Sequence, residues 1–183
     1  MILHDSNFTL PNRVSNIYDY SEARIIDITG TKIDRPKKHQ EDYYSGKKKM
    51  HSLKTQIEIG LTTKIIYSLA FAKGHVHDFT LFKKAKQDYN VDTTELVDKG
   101  YLGIDKIHPN SILPVKASKY HALSEEEKWY SSEVSKLRTA IELVNAYIKK
   151  FKIFSTRFRN RRKNFKLYMS LICGIYNFKI ASR

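Results

Sequence analysis

Carboxylates run out at Glu142: the last 41 residues of this 183-residue chain hold no Asp or Glu, while eleven Lys and Arg crowd the same stretch. That shortage excludes an acidic surface at this end and leaves a field suited to polyanions. Cysteine is nearly absent as well. Cys173 stands alone, so no internal disulfide is available, and inside an apolar segment it reads as a small packed side chain. No apolar run reaches the ~20 residues of a bilayer span. The longest, Leu167 to Phe178, reads as a buried helix. Asp5 interrupts the apolar start that a secretory leader needs. With no amphipathic membrane helix and no lipidation signal, a membrane partner is not expected, and the absences together point to a reducing cytoplasm.

What is present is charge of one sign: the formal net charge is +14 and the pI about 9.7, which makes nucleic acid the leading partner. The length suits one domain with a full core. Residues 1–22, mixed and polar with Pro11, read as a linker or the remnant of an upstream region, and order is expected over 23–183. "ARIIDITGTKI", "HSLKTQIEIGL" and "TKIIYSLAFA" have strand composition and make an antiparallel meander. "HDFTLFKKAKQDY" spaces Phe79, Phe82, Ala85 and Tyr89 as a helix with Asp78 as its cap. "TTELVDKGY" and "SILPVKAS" give a fourth and a fifth strand. Ser124 and Glu127 form a capping box before apolar residues that recur from Tyr130 through Val134, Leu137, Ile141, Val144 and Ile148 to Phe151. A last helix runs from about Arg162 to Phe178. Strands first, then strand and helix in alternation, then helices, predict an α/β fold with a mixed five-stranded sheet flanked by helices.

Three acids stand out against the basic background. Asp27 and Asp98 each follow a short apolar run of strand type, and Glu142 is the last acid of the chain. In the expected order the first strand lies beside the fourth, so Asp27 and Asp98 become neighbours. At about 100° per residue, Arg138, Glu142, Asn145 and Lys149 share a stripe roughly 60° wide at the border of the long helix's buried face. Hard oxygen ligands of this kind suit Mg²⁺ acting on a phosphate backbone. Each acid also has an ordinary reading. Glu142 with Arg138 is a helix pair four residues apart, Asp98 before Lys99 and Gly100 is a turn acid, and Asp27 is a solvated strand residue.

Through "IIDITGTKIDRPKK", "DYYSGKKKMHSLKTQ", "KGHVHDFTLFK", "VDKGYLGI", "LRTAIELVNAYIKKFKIFSTRFRNRRK" and "LICGIYNF", the chain resembles the DDE-type transposases of bacterial insertion sequences, in the insertion-sequence-five branch. Arg138, Glu142 and Lys149 are the most specific part. Ser135 stands where relatives often have Tyr, and Gly30 where the first motif usually has Glu. The resemblance implies an RNase H-like catalytic domain related to retroviral integrase. It also implies that Asp27, Asp98 and Glu142 are catalytic and hold two Mg²⁺ ions, with Mn²⁺ able to substitute. The implied activity is cleavage at transposon ends followed by strand transfer into target DNA, in the bacterial nucleoid. The implied partners are double-stranded DNA, both terminal inverted repeats and target, a second copy assembled on that DNA, and a separately encoded N-terminal recognition subunit. A truncated, catalytically silent DNA-binding remnant is the alternative.

Two basic stretches extend the DNA expectation. Lys47, Lys48 and Lys49, with His51 and Lys54, enter a strand beside Tyr43 and Tyr44. From Lys149 to Lys166, nine basic residues, among them Arg157, Arg159, Arg161 and Arg162, alternate with aromatics and no acid. A charge run is ordinarily a solvated face; beside a phosphodiester site it reads as backbone contact, as do Arg138 and Lys149. His75, His77 and Asp78 lack further ligands nearby for a metal cluster. They read as a turn and helix start, with His77 and Asp78 at the border of the active site. Trp129 reads as a core residue.

Overall fold

The structure is a computed structural model that describes residues 10–11, 22–85, 92–117 and 122–182. Most of the proposed N-terminal linker and Tyr89 of the predicted helix lie outside the described residues. Strand β1 (Arg24–Lys32) is central: β3 (Met50–Gly60) pairs antiparallel along its whole length, and β5 (Glu95–Leu96) pairs parallel with Arg24 and Ile25 on its other edge. β6 (Ser111–Ile112) extends the parallel side. β4 (Ile66–Lys73) and the two-residue β2 (Tyr44–Ser45) share the outer edge of β3. This is the mixed sheet expected from the sequence, with the first strand beside the fourth and β2 as an added sixth. The fourth and fifth strands are much shorter than their β-favouring runs. Asp98 turns the chain into a 3-10 segment, Lys99–Tyr101, by accepting the amide of Lys99 at 2.6 Å.

Alternation along β1 divides the core. Ile25 joins Ile57, Ile141, Val144, Ile148, Met169 and Cys173 beneath the long helix α3 (Glu125–Lys149) and α5 (Phe165–Ala181). Ile26 joins Phe82, Val97, Tyr101 and Ile104 on the face covered by α2 (Asp78–Ala85). The short helices α1 (Gln40–Tyr43) and α4 (Lys152–Ser155) complete the fold. Cys173 is buried as expected, and burial pushes its thiol up to about 12, so it is an inert packing residue. Among the described residues no helix is long and apolar enough to cross a membrane.

α3 departs from its periodic reading over its first turns. The capping box of Ser124 and Glu127 forms, but the first buried side chain is Val134. Trp129, expected in the core, is 68 % exposed, and Tyr130 and Leu137 are exposed with it. Ser131 accepts the Val115 amide at 3.1 Å on another side of these turns, and the Trp129 side is left exposed.

Ionisable groups also sit in the interior. Arg24 donates to Glu58 at 2.8 Å, Ser68 donates to the other Glu58 oxygen, and Glu95 lies beside them, all three ionisable groups being about 1 % exposed. The Arg24 guanidinium also stacks on the Tyr67 ring at 4.0 Å. Burial pushes Glu95 well above the ordinary carboxylate range and the Glu58 charge pushes it further, so Glu95 favours its neutral form. The cluster therefore balances one cation against one anion. Glu95→Gln, isosteric and neutral, is expected to retain wild-type stability in denaturant unfolding at neutral pH. Arg24→Met leaves Glu58 buried without its cation, and the same measurement should show a loss of about 3–5 kcal/mol.

Candidate active site

Parallel pairing of β1 with β5 ends at the Ile25 and Leu96 partners, and two residues further along the two strands stand Asp27 and Asp98. Asp27 stands mid-strand in β1 where this pairing stops, and Asp98 lies just past the carboxyl end of β5, so the two carboxylates meet where the parallel neighbour ends. The third contributor is α3. Its Arg138 places Nη2 3.6 Å from Asp27 Oδ1 and Nη1 3.4 Å from Asp98 Oδ1, so one guanidinium spans both acids. Asn145, two turns further on, donates from Nδ2 to Asp27 Oδ2 at 2.9 Å.

The electrostatics follow from that packing. Burial raises the Asp27 carboxyl above its ordinary value, the Asp98 charge adds to the rise, and Arg138 with the Ile28 amide and Asn145 holds it down. Tyr101, buried beneath the pair, is pushed well up by burial and by the charges of Asp27, Asp78 and Asp98. It is therefore a neutral donor, and its hydroxyl has no partner within hydrogen-bonding distance.

A cleft opens from the acids toward the basic loop, lined by Asp27, Gly30, Lys47, Lys48, Asp78 and Asp98 among others. Lys48 crosses over β1 here. A Cβ at position 30 would stand 3.0 Å from Lys48 Nζ, so glycine at this position leaves space for the ammonium to enter the cleft. Lys54 is committed within the fold, donating to Asp78 Oδ1 at 2.8 Å and to the Val76 carbonyl at 2.6 Å. His51 packs edge-on against Tyr44. Asp78 is the first residue of α2, preceded by His77, whose carbonyl accepts the Leu81 amide. Asp78 lines the same cleft as Asp27 and Asp98.

The second basic stretch joins the same end of the sheet. Phe158 bridges to Ile33 just beyond β1, its amide donating to the Lys32 carbonyl at 2.8 Å. That bridge sets Arg157 against Asp34 at 2.8 Å and Arg162 over the Tyr43 ring at 4.8 Å, while Arg159 and Arg161 stay exposed. Lys47 to Lys49 and Arg157 to Arg162 thus surround one end of β1, although more than a hundred residues separate them.

Glu142 lies on the same side of α3 as Arg138 but is exposed. Among the described residues no group of three acid, His or Cys side chains is close enough to hold a metal ion. Asn145, like Arg138, is an α3 side chain that reaches Asp27 in place of Glu142. Its Oδ1 and the Arg138 Nε are buried without partners, which leaves the α3 side of the site polar and unsatisfied. Sequence reading had placed Asn145 in the right stripe without giving it a role.

Two acids that meet where one parallel strand stops beside another, crossed by a helix and faced by lysines, are the arrangement of an RNase H-like nuclease-type domain. The profile of the DDE superfamily endonucleases matches residues 26–177, and the chain belongs to that family. It is 39 % identical over 183 residues to the probable transposase for insertion sequence element IS702 of Microchaete diplosiphon, covering 99 % of this chain and 66 % of that protein. No solved structure matches.

The raised Asp27 carboxyl sets a pH dependence. Ionised Asp27 costs the folded state free energy at neutral pH, and the cost disappears once pH falls below the ordinary carboxylate value. Asp27→Asn should therefore raise the unfolding temperature at neutral pH, with the gain shrinking to nothing as the medium is acidified. Thermal unfolding of both proteins across a pH series checks this.

Proposed function

We propose that this domain cleaves DNA at the ends of an insertion sequence and joins the freed strand to target DNA, with Asp27, Asp98 and Glu142 as catalytic acids. The observation that carries the reading is the convergence of Asp27 and Asp98 on one cation, Arg138, in a lysine-lined cleft. A cation is already required between these carboxylates, and the donors are hard oxygens, so the site fits divalent metal, which DDE endonucleases generally use. Bound there, two Mg²⁺ ions, or Mn²⁺ in their place, would supply charge stabilisation for an in-line displacement at phosphorus.

The chain's own residues do the rest. Asp27 and Asp98 supply the anionic ligands, and Asn145 orients the first of them through its 2.9 Å hydrogen bond. Arg138 neutralises the pair in the metal-free state and is free to turn to a phosphate when the acids are otherwise neutralised. Glu142 joins the acids by a rotation of its exposed side chain or a small shift of α3. Water attacks first, releasing a 3′-hydroxyl, and that hydroxyl attacks the target strand in the same cleft. Lys47, Lys48, Lys49, Lys149, Arg159 and Arg161 take the backbone, and Arg157 and Arg162 reach it from their contacts with Asp34 and Tyr43. His51 and Lys54 shape the cleft wall, with His77 and Asp78 at its border. A catalytically silent DNA-binding remnant is the second reading, and the exposed Glu142 favours it. The partners that follow from the main reading are duplex DNA, as terminal repeats and target, a second copy, and a separately encoded recognition subunit.

Nicking of supercoiled plasmid separates the two readings. The parent should nick with Mg²⁺ or Mn²⁺, stop with EDTA, and lose activity in Asp98→Asn, which should bind duplex as well as the parent or more tightly because one repelling charge is gone. Binding without nicking by the parent would establish the remnant. Affinity measured against salt should fall with a log–log slope of about −5 if about six phosphates are neutralised. Replacing Lys47 to Lys49 by Ala should flatten that slope and weaken all sequences alike; selective loss for one sequence would mean these lysines read bases.

A further inference from the structure

α3 presents a second face, turned away from the acids. Taking Trp129 as 0° on the helical wheel at about 100° per residue, Glu133, Lys136, Ala140, Leu143 and Tyr147 fall within about 40° of it, and Arg138 and Asn145 lie on the opposite side. The spacing alternates four and three residues from Trp129 to Lys150, the pattern of a helix seam that packs against another helix. Among the described residues it has no such partner: Trp129 and Leu143 are each 68 % exposed.

The two halves of this face are opposite in character. Its N-terminal half is acidic, with Glu125, Glu126 and Glu133 around Trp129. Glu125 and Glu133 pair with Lys128 and Lys136 on the same helix, whereas Glu126 makes no ion pair among the described residues. Its C-terminal half is one wall of a groove of about 390 Å³ between α3 and α5. Leu143, Tyr147, Tyr176 and Ile180 make the groove apolar, Lys64, Lys150 and Lys179 rim it, and no acid lines it. Lys150 and Lys179 both lie over the Tyr147 ring, at 5.8 and 5.6 Å.

We propose that two copies of this chain pair through antiparallel α3 helices, the acidic Trp129 half of each lying in the lysine-rimmed groove of the other. Such a contact is isologous and closes on itself as a twofold dimer. In register, Glu126 faces Lys150 of the partner, Trp129 faces Tyr147, and the axis passes between Lys136 and Ala140. The antiparallel helix dipoles add to the match, since each acidic N-terminus meets a basic C-terminus. A second copy fits better than an unrelated acidic protein because one helix carries both complementary halves in continuous phase. The seam leaves Asp27, Asp98 and Arg138 uncovered, so the inference stands independently of the catalytic reading, and a protein that fails to nick plasmid would leave it intact.

Sedimentation velocity of the full chain over a concentration series, with and without a short duplex, tests the pairing. Trp129 is the chain's sole tryptophan, so its emission should move to shorter wavelength in step with dimer formation. Trp129→Ala should lose the dimer while keeping the parent's circular dichroism. Glu126→Lys and Lys150→Glu should each weaken it about tenfold, and the double reversal should restore it. The single reversals shift net charge in opposite directions, so general repulsion would drive their effects apart instead of weakening both. A monomer under all conditions overturns the proposal and leaves the groove to another partner. A dimer unmoved by these substitutions, or not rescued by the double reversal, overturns it equally.

Discussion

Two carboxylates brought together from neighbouring strands repel one another, and the Arg138 guanidinium between them is what makes their proximity tolerable. Burial alone already disfavours the ionised form of Asp27, and the nearby Asp98 charge disfavours it further. A cation supplied from α3 offsets both effects, so the crossing of this helix over β1 has an electrostatic as well as an apolar component. Ile141, Val144 and Ile148 seat the helix on the sheet, and Arg138 and Asn145 fix which residues face the acids. The same logic makes the site receptive: a group that replaces the guanidinium as counterion frees an arginine for an incoming phosphate.

The sheet register is the other half of that constraint. β1 pairs with β3 over nine residues and with β5 over two. The long pairing makes β1 rigid, and the short one ends where the acids begin. Had β5 run on as far as its β-favouring residues suggest, Asp98 would have been another ladder residue. Its capture of the Lys99 amide breaks the strand and turns the carboxylate outward. Function here depends on a strand stopping early.

Much of this could be read along the chain. Period-two and period-three-and-a-half patterns gave the strands and long helices in order, and of the three acids isolated in a basic sequence, Asp27 and Asp98 come together while Glu142 stays exposed. The ends of elements were less accessible, because strand length depends on where a neighbour stops. Trp129 was misread for a related reason: its spacing is that of a core residue, and only the fold shows that its side chain stays exposed. Asn145 could have been singled out from its place in the same stripe as Arg138, but a neutral amide has no charge to draw attention. The buried Arg24, Glu58 and Glu95 were invisible as a group, since they come from three strands and read singly as surface residues.

α3 therefore does three jobs on three sides, and the division explains its composition. The buried side is aliphatic because it seats on the sheet. The side toward the acids holds Arg138, Glu142, Asn145 and Lys149, all polar, and two of them contact Asp27. The remaining side would need to be only polar if it faced solvent alone, yet it keeps Trp129, Leu143 and Tyr147 in phase with one another. Large apolar side chains on a free helix face favour aggregation in a chain of this size. Their regular spacing, with acids at one end and lysines at the other, is the arrangement that restricts such a face to a single mate. A helix that orders the catalytic acids on one side and a second subunit on the other would couple assembly to the site through one rigid element.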